Sequence, residues 1–323
     1  MSIWLKHKQL LKKLFQATFS LVLLVVLFWM VNWKDLIQAC ESANVILILL
    51  GALLFFPSVL ESSLRWKLVL DYFKLPISQL RAFNLYLESS FFTNFLPTSF
   101  GGDGFKFFVL AREFPNSKKE SLSSMVFERG SGFMSLFIVN VLLAIWYLRL
   151  LSVNHILLVL ECFICATFVA ILLFITFRHW AINLLTKYGI DHRYYGQFLR
   201  FVRILSDIKQ RSVVLGTTFY SILFILNTAL GQFFFLRAFG IQNVSFLYLV
   251  FVVTIVQIAG ILPISLNSIG VSEGLRVFLY GIVGAPPDIS LAVSLIGRFS
   301  ALIASGSGGI LYLFESKNEN RYL

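Results

Sequence analysis

Charged residues are scarce in this sequence, and their scarcity excludes a water-soluble fold. Only 13% of the 323 residues are charged, whereas 58% are hydrophobic. An average soluble domain carries about 25% charged residues. A chain of this composition cannot cover a surface that faces water, so the sequence predicts an integral membrane protein.

Cysteines are also few, and the motifs of catalytic sites are absent. Cys40, Cys162 and Cys165 are too few for a disulfide framework. The C-x-x-C formed by Cys162 and Cys165 lies in an apolar segment and is typical of buried packing. The sequence has no Walker loop, His-based metal box or nucleophile elbow. These absences predict a protein that is not an enzyme and that uses no cofactor or metal.

Long apolar runs are abundant, and they predict an all-α polytopic membrane fold. A helix needs about 20 residues to cross a hydrocarbon core of about 30 Å. A membrane β-barrel would instead show alternating segments of about 10 residues. Six full spans are predicted, over residues 14–33, 44–60, 129–148, 155–177, 213–236 and 291–314.

The net charge of +11 is explained by where the basic residues lie relative to these spans. Basic residues concentrate in the loops that the topology places inside, which explains the charge without a nucleic-acid partner. The first apolar run is long and no small-residue cleavage site closes it, so it is predicted to be an uncleaved span. We expect a protein of a bacterial cytoplasmic membrane with both termini in the cytoplasm.

Two segments are too short to be full spans. Residues 82–96 and 103–114 rise only about 22 and 18 Å as helices. The loops on both sides of this pair are basic and therefore cytoplasmic, which predicts a re-entrant hairpin over about 82–114. Those loops contain Arg65, Lys67, Lys74 and Arg81 on one side and Arg112, Lys118 and Lys119 on the other.

The second hairpin repeats this pattern over about 246–284, and its motif matches the first. Each motif runs from Leu-Pro through small and polar residues into an acidic residue, a glycine and a basic residue: Asp103-Gly104-Phe105-Lys106 and Glu273-Gly274-Leu275-Arg276. An arginine follows each motif at a similar interval. Continuing the topology makes the second hairpin enter from outside. The sequence thus predicts an inverted-topology repeat, which is typical of transporters.

Four regions follow from this repeat. Residues 1–43 form an N-terminal span and an outer loop, and residues 44–177 form the first repeat with an extra span. Residues 178–212 form a basic loop, and residues 213–323 form the inverted second repeat. The basic loop has apolar residues at helical spacing, so it is either an amphipathic helix on anionic lipid or an ordinary positive-inside loop.

Ionisable side chains in and beside the hairpins are candidate ligands for a lipid head group. Seven of these ionisable side chains are Asp103, Lys106, Glu128, Arg129, Glu273, Arg276 and Arg298. If all seven were charged and unpaired at the bilayer midplane, the cost would be about 20 kcal/mol. That cost exceeds a typical folding free energy of about 5–15 kcal/mol. Structural i,i+3 pairs, Asp103–Lys106 and Glu273–Arg276, are one solution. The other solution is an anionic head group bound at the starts of the helices that begin near Asp103 and Glu273. The candidate head-group-binding residues are Asn94, Gly101, Gly102, Asp103, Lys106, Glu128, Arg129, Asn267, Glu273, Arg276 and Arg298.

Two further carboxyl groups, those of Glu88 and Glu161, lie within apolar helices. They are candidate contacts for a proton or a head group.

The two motifs resemble those of the lysylphosphatidylglycerol synthase transmembrane-region family. That family has an N-x-L-P…G-G-D/E…R pattern and an L-P-x-S-P-G-G-x-G-x-x-E pattern, and the resemblance covers nearly the whole chain. The matching residues are Asn94-Phe95-Leu96-Pro97, Gly101-Gly102-Asp103, Lys106, Arg112, Glu128-Arg129, Leu262-Pro263-Ile264-Ser265, Gly270-Val271 and Glu273-Gly274. Lys106 stands where the family commonly has arginine, and Leu266-Asn267-Ser268 replaces a usual Pro-Gly-Gly.

The resemblance implies a flippase-like protein that moves an anionic lipid or lipid-linked head group between leaflets. The chain carries no synthase domain, so we expect no lysyl transfer. The alternative is a membrane subunit that presents lipid to a glycosyl- or aminoacyl-transferase without moving it. An intramembrane enzyme that uses Asp103 and Glu273 is a third possibility. Transport predicts that Pro97–Asp103 and Pro263–Glu273 approach each other near the midplane, with Arg129 and Arg298 directed into a shared cavity.

Overall fold

The computed structural model describes residues 33–95, 101–177, 210–262 and 265–318, together with isolated positions between 18 and 29. The described residues fold into helices joined by short loops, with no strand among them. The helices are α1 (Trp33–Ser42), α2 (Val45–Leu53), α3 (Phe55–Tyr72), α4 (Gln79–Phe95), α5 (Gly101–Glu113), α6 (Lys118–Trp146), α7 (Leu148–Val153), α8 (His155–Thr176), α9 (Arg211–Ala238), α10 (Phe246–Ile261), α11 (Val271–Ile282) and α12 (Pro287–Asn318), with 3₁₀ turns at Pro115–Ser117 and Leu266–Ser268.

Five helical segments of the described residues are long and apolar enough to cross a membrane, and each corresponds to a predicted span. They are Val45–Tyr72, Pro115–Trp146, His155–Leu173, Arg211–Ala238 and Pro287–Glu315. The first predicted span, 14–33, lies largely outside the described residues, as does the basic loop apart from its last three positions. The all-α membrane fold is therefore confirmed for the part of the chain that the structure describes.

Two predicted boundaries are wrong because charged side chains lie inside helices. The second span does not stop at residue 60, since α3 continues through Arg65 to Tyr72. The span predicted to begin at residue 129 begins eleven residues earlier, at Lys118. Arg65 and Glu128 form an ion pair, and pairing lets a charge remain within a membrane helix.

The chain divides into two compact units. The first comprises Met1–Leu64, Ser78–Val109 and Leu223–Leu323, and the second comprises Arg65–Ile77 and Leu110–Ile222. In the first unit, α12 packs against α4, α11, α2 and α1, and α10 packs against α11. In α10, the residues from Tyr248 to Val256 are all buried, which is expected of a helix that is apolar on every side.

The second unit packs α6 against α7 and α8. Phe137 of α6 stacks on Phe168 of α8, with ring centroids 5.5 Å apart. The α8 helix begins at Asn154, whose side chain accepts a hydrogen bond of 3.0 Å from the Leu157 N–H. This N-cap satisfies a backbone donor that the helix leaves free.

Candidate functional site

Helices α4 and α5 fold back on each other as an antiparallel hairpin. Near the turn, Gly102 lies against Thr93 and Ser89 so closely that a Cβ at Gly102 would be 2.3 Å from the Ser89 carbonyl oxygen. Phe92 and Phe105 stack with centroids 4.4 Å apart. Farther from the turn, Lys106 reaches Tyr86. Glycine at position 102 therefore allows α4 and α5 to pack closely, because a larger residue would push the two helices apart.

Lys106 and Asp103 form the first motif's ion pair inside this hairpin. The Lys106 Nζ is 3.3 Å from the Asp103 Oδ1 and 4.1 Å from the centroid of the Tyr86 ring. Lys106 is 1% exposed, and the Asp103 side chain is 17% exposed. The amine is thus stabilised by a carboxylate and an aromatic face, and Asp103 is the more accessible member of the pair.

Helices α10 and α11 form a second antiparallel hairpin. Close to the turn, the Ser268 hydroxyl donates to the Gly260 carbonyl at 3.2 Å. At the far end, the Tyr248 hydroxyl donates to the Leu279 carbonyl at 2.7 Å. The turn places Asn267 at φ 45°, Ser268 at φ 58° and Gly270 at φ 84°. This left-handed run reverses the chain within a few residues.

Glu273 joins three parts of this second hairpin through one carboxylate. Its side chain is 0% exposed. Oε2 accepts the Gly270 N–H at 2.7 Å, and Oε1 accepts the Arg298 Nε–H at 2.5 Å. Arg298 also donates to the Asn267 carbonyl at 3.4 Å. The pair therefore fixes the turn, the start of α11 and the middle of α12, while Arg298 keeps 22% of its side chain exposed.

The two i,i+3 pairs considered from the sequence have different outcomes. Asp103 and Lys106 form the first pair. Among the described residues the second pair does not form, because Glu273 binds Arg298 instead. Arg276 donates to the Ser294 hydroxyl of α12 at 3.0 Å. Glu273 already caps its own helix, which directs its carboxylate to the turn and to α12.

Helix α12 contacts both hairpins on one of its faces. Asn94, at the end of α4, donates to the Ser305 hydroxyl at 3.0 Å, and Glu273 pairs with Arg298 on the same helix. Seven residues separate Arg298 and Ser305 (298 to 305). They share one helix face and differ by a rise of about 10 Å.

Contacts farther along α12 show the direction of each hairpin. Arg81, at the start of α4, pairs with Glu315 near the C-terminal end of α12. Arg276 of α11 binds Ser294, toward the N-terminal end. The hairpins therefore approach from opposite ends of α12, and the last residues of α4 and the first residues of α11 lie toward its middle. Residues 96–100 and 263–264, which include Pro97 and Pro263, lie outside the described residues.

Glu128 belongs to a polar cluster in the second unit. Its carboxylate accepts the Arg65 Nε–H at 3.1 Å, and Arg65 Nη1 donates to the Ser221 hydroxyl at 3.2 Å. Arg65 was predicted to lie in a loop and instead lies in α3, and the apolar residues around it continue at helical spacing. Arg129 follows Glu128 within α6 and is partly buried.

The comparisons with known proteins agree with these motifs. A family model described as the lysylphosphatidylglycerol synthase TM region matches residues 14–307. The match includes both hairpins and both polar motifs. No curated protein and no solved structure matches the chain.

Proposed function

Because the chain belongs to the lysylphosphatidylglycerol synthase transmembrane-region family, we propose that this integral membrane protein moves an anionic lipid or a lipid-linked head group between leaflets. The observation that carries the proposal is that polar residues at the end of α4 and at the start of α11 both bind α12 near its middle. A helix of α12's length and composition is able to cross the bilayer. Charged groups near its middle are costly unless they are paired or face a hydrated path, and Arg298 is paired yet keeps part of its side chain exposed.

The same contacts support a re-entrant topology, which is part of this proposal. If α12 crosses the membrane, a hairpin that approaches from either end enters and leaves on one side. The two hairpins then enter from opposite sides, as in an inverted repeat. Alternating access needs only an exchange between two such half-structures around one site. The orientation that places both termini in the cytoplasm of a bacterial cell is part of this proposal.

The head group is proposed to bind where partly exposed polar atoms surround the two turns. Arg298 supplies the cation for a phosphate, and the Asp103 carboxylate suits an amine. Asn94 and Asn267 add hydrogen-bonding groups. Gly101 begins α5, where backbone N–H groups favour an anion. We propose no catalytic step for these residues: their role is to bind and guide the lipid.

A reconstituted transport assay tests the proposal. Vesicles that contain the protein are loaded with labelled phosphatidylglycerol or with a labelled polyprenyl phosphate, with and without ion gradients. We expect the wild type to accelerate movement of at least one lipid. Arg298→Gln should slow that movement roughly 10- to 100-fold, since a hydrogen bond to a charged group contributes about 1.5–3 kcal/mol.

Two controls separate transport from folding. Arg81→Gln breaks the pair between Arg81 of α4 and Glu315 of α12 and should leave transport near the wild-type rate. The double variant Glu273→Gln with Arg298→Gln avoids an unpaired carboxylate and should also be slow. Failure of the wild type to move any lipid would overturn the proposal. Lipid that binds without moving would support the alternative, a membrane subunit that presents lipid to a transferase.

A further inference from the structure

Two buried polar residues form a separate site in the second unit. Glu161 of α8 is 2% exposed, and Asn140 of α6 is 0% exposed. Among the described residues, neither oxygen of the Glu161 carboxyl has a hydrogen-bond partner of normal geometry. The Asn140 carboxamide is the polar side chain beside it. Neither residue belongs to the hairpins or to the proposed head-group site.

The helices packed around Glu161 place no cation within its reach in the described part of the chain. On α6, Arg129 precedes Asn140 by eleven residues (129 to 140), a rise of about 16 Å. His155 of α8 and Arg149 of α7 are both exposed. The titratable groups beside Glu161 are the thiols of its own helix, Cys162 and Cys165. Tyr147, between α6 and α7, is seven residues beyond Asn140 (140 to 147), a rise of about 10 Å.

An ionised carboxylate without a cation is strongly disfavoured in this environment. The neutral acid is suited to it, because its O–H can donate to the Asn140 carbonyl while its C=O accepts from the Asn140 amide. We propose that Glu161 and Asn140 form a proton-binding site within the membrane, at which Glu161 takes up and releases a proton. On uptake, a hydronium ion transfers its proton to a carboxylate oxygen, which leaves a water molecule and a neutral acid. Release is the reverse step, and Asn140 is the positioning residue.

Carbodiimide labelling tests whether Glu161 is protonated. Dicyclohexylcarbodiimide partitions into membranes and reacts with protonated carboxyl groups, so the full-length protein in lipid vesicles is treated and its peptides are analysed by mass spectrometry. At pH 7 we expect an adduct on Glu161. Glu161→Gln should remove it, and any label left on that peptide measures the thiols of Cys162 and Cys165. Glu41 of α1 is exposed, and as the matched control it should remain unlabelled.

A second measurement tests whether the proton exchanges. Infrared spectroscopy of the wild type should show a carboxylic-acid C=O band that shifts in D₂O, declines as pH rises and is missing from Glu161→Gln. Asn140→Leu should shift the band's frequency and its pH midpoint, which a merely structural role would not require. No Glu161 adduct together with no such band would overturn the proposal. A band that persists unchanged at every pH at which the protein stays folded would also overturn it, because the acid would then be a fixed hydrogen-bond donor. Neither result depends on lipid transport.

Discussion

Glu273 and Lys106 solve the same problem of charge in different ways. Glu273 is buried and receives a backbone N–H and an arginine from another helix. Lys106 is buried too, but its partners, the Asp103 carboxylate and the Tyr86 ring, both lie in the same hairpin as Lys106. In each pair one side chain is buried and the other is partly exposed: Arg298 is the exposed partner of Glu273, and Asp103 is the exposed partner of Lys106. Under the proposed function, these two partly exposed side chains are the ones that would meet a head group.

The backbone at Asn267 provides a prediction at the level of one residue. Its φ of 45° lies in the left-handed region, which asparagine tolerates and β-branched residues do not. Asn267→Val should lower the stability by about 1–3 kcal/mol. Asn267→Gly should stay within about 1 kcal/mol of the wild type, because relief of strain offsets the added chain entropy. Thermal unfolding in detergent measures both.

The Arg298 hydrogen bond is the internal control for this comparison. It is accepted by the main-chain carbonyl of Asn267, so both substitutions keep the acceptor. A valine variant as stable as the glycine variant would contradict the strained turn. The family's usual Gly-Gly at this turn, where the present chain has Asn267 and Ser268, is consistent with the same left-handed conformation.

Among the elements, α12 depends on a close approach to α4. A Cβ at Gly308 would lie 2.1 Å from the Leu87 carbonyl oxygen, so the two helix backbones meet where no side chain intervenes. Gly308→Ala should force the helices apart and cost about 1–3 kcal/mol or more. Unfolding by increasing proportions of a denaturing detergent measures the loss.

Gly306 is the matched control for Gly308. A Cβ at Gly306 would meet nothing within 4 Å, and alanine favours a helix by about 1 kcal/mol over glycine. Gly306→Ala should therefore be neutral or stabilising. If both alanine variants unfold alike, the close approach at Gly308 is not what holds α12 to α4.

Long elements were predictable from the sequence, and so was the Asp103–Lys106 pair, whereas the partners that charged residues find far away in the chain were not. Apolar runs of about 20 residues identify spans without knowledge of their neighbours. The extension of α3 through Arg65 depends on Glu128, 63 residues away in the chain. The pairing of Glu273 with Arg298 rather than Arg276 likewise depends on how α11 meets α12. Local spacing favoured the nearer residue, and tertiary contact decided otherwise.

For the whole molecule, the contacts along α12 lead to a prediction about membrane topology. The loop 73–78 and the segment 114–117 flank the hairpin of α4 and α5, and the re-entrant interpretation places both on the cytoplasmic side. Single cysteines are introduced at exposed positions of these loops, Lys74→Cys and Asn116→Cys, in a background whose native cysteines are replaced by serine. An impermeant maleimide should label both from the cytoplasmic side and neither from the outside.

The second hairpin should give the opposite result if the repeats are inverted. Gln242 and Pro286 are exposed and flank α10 and α11, so Gln242→Cys and Pro286→Cys should both be labelled from outside. The physical reason is length: α10 has 16 residues and α11 has 12, and at 1.5 Å per residue neither crosses a core of about 30 Å. Labelling of Lys74→Cys and Asn116→Cys from opposite sides would show that the first hairpin crosses the membrane. The two hairpins would then not enter from opposite faces, and alternating access between inverted halves would lose its structural basis.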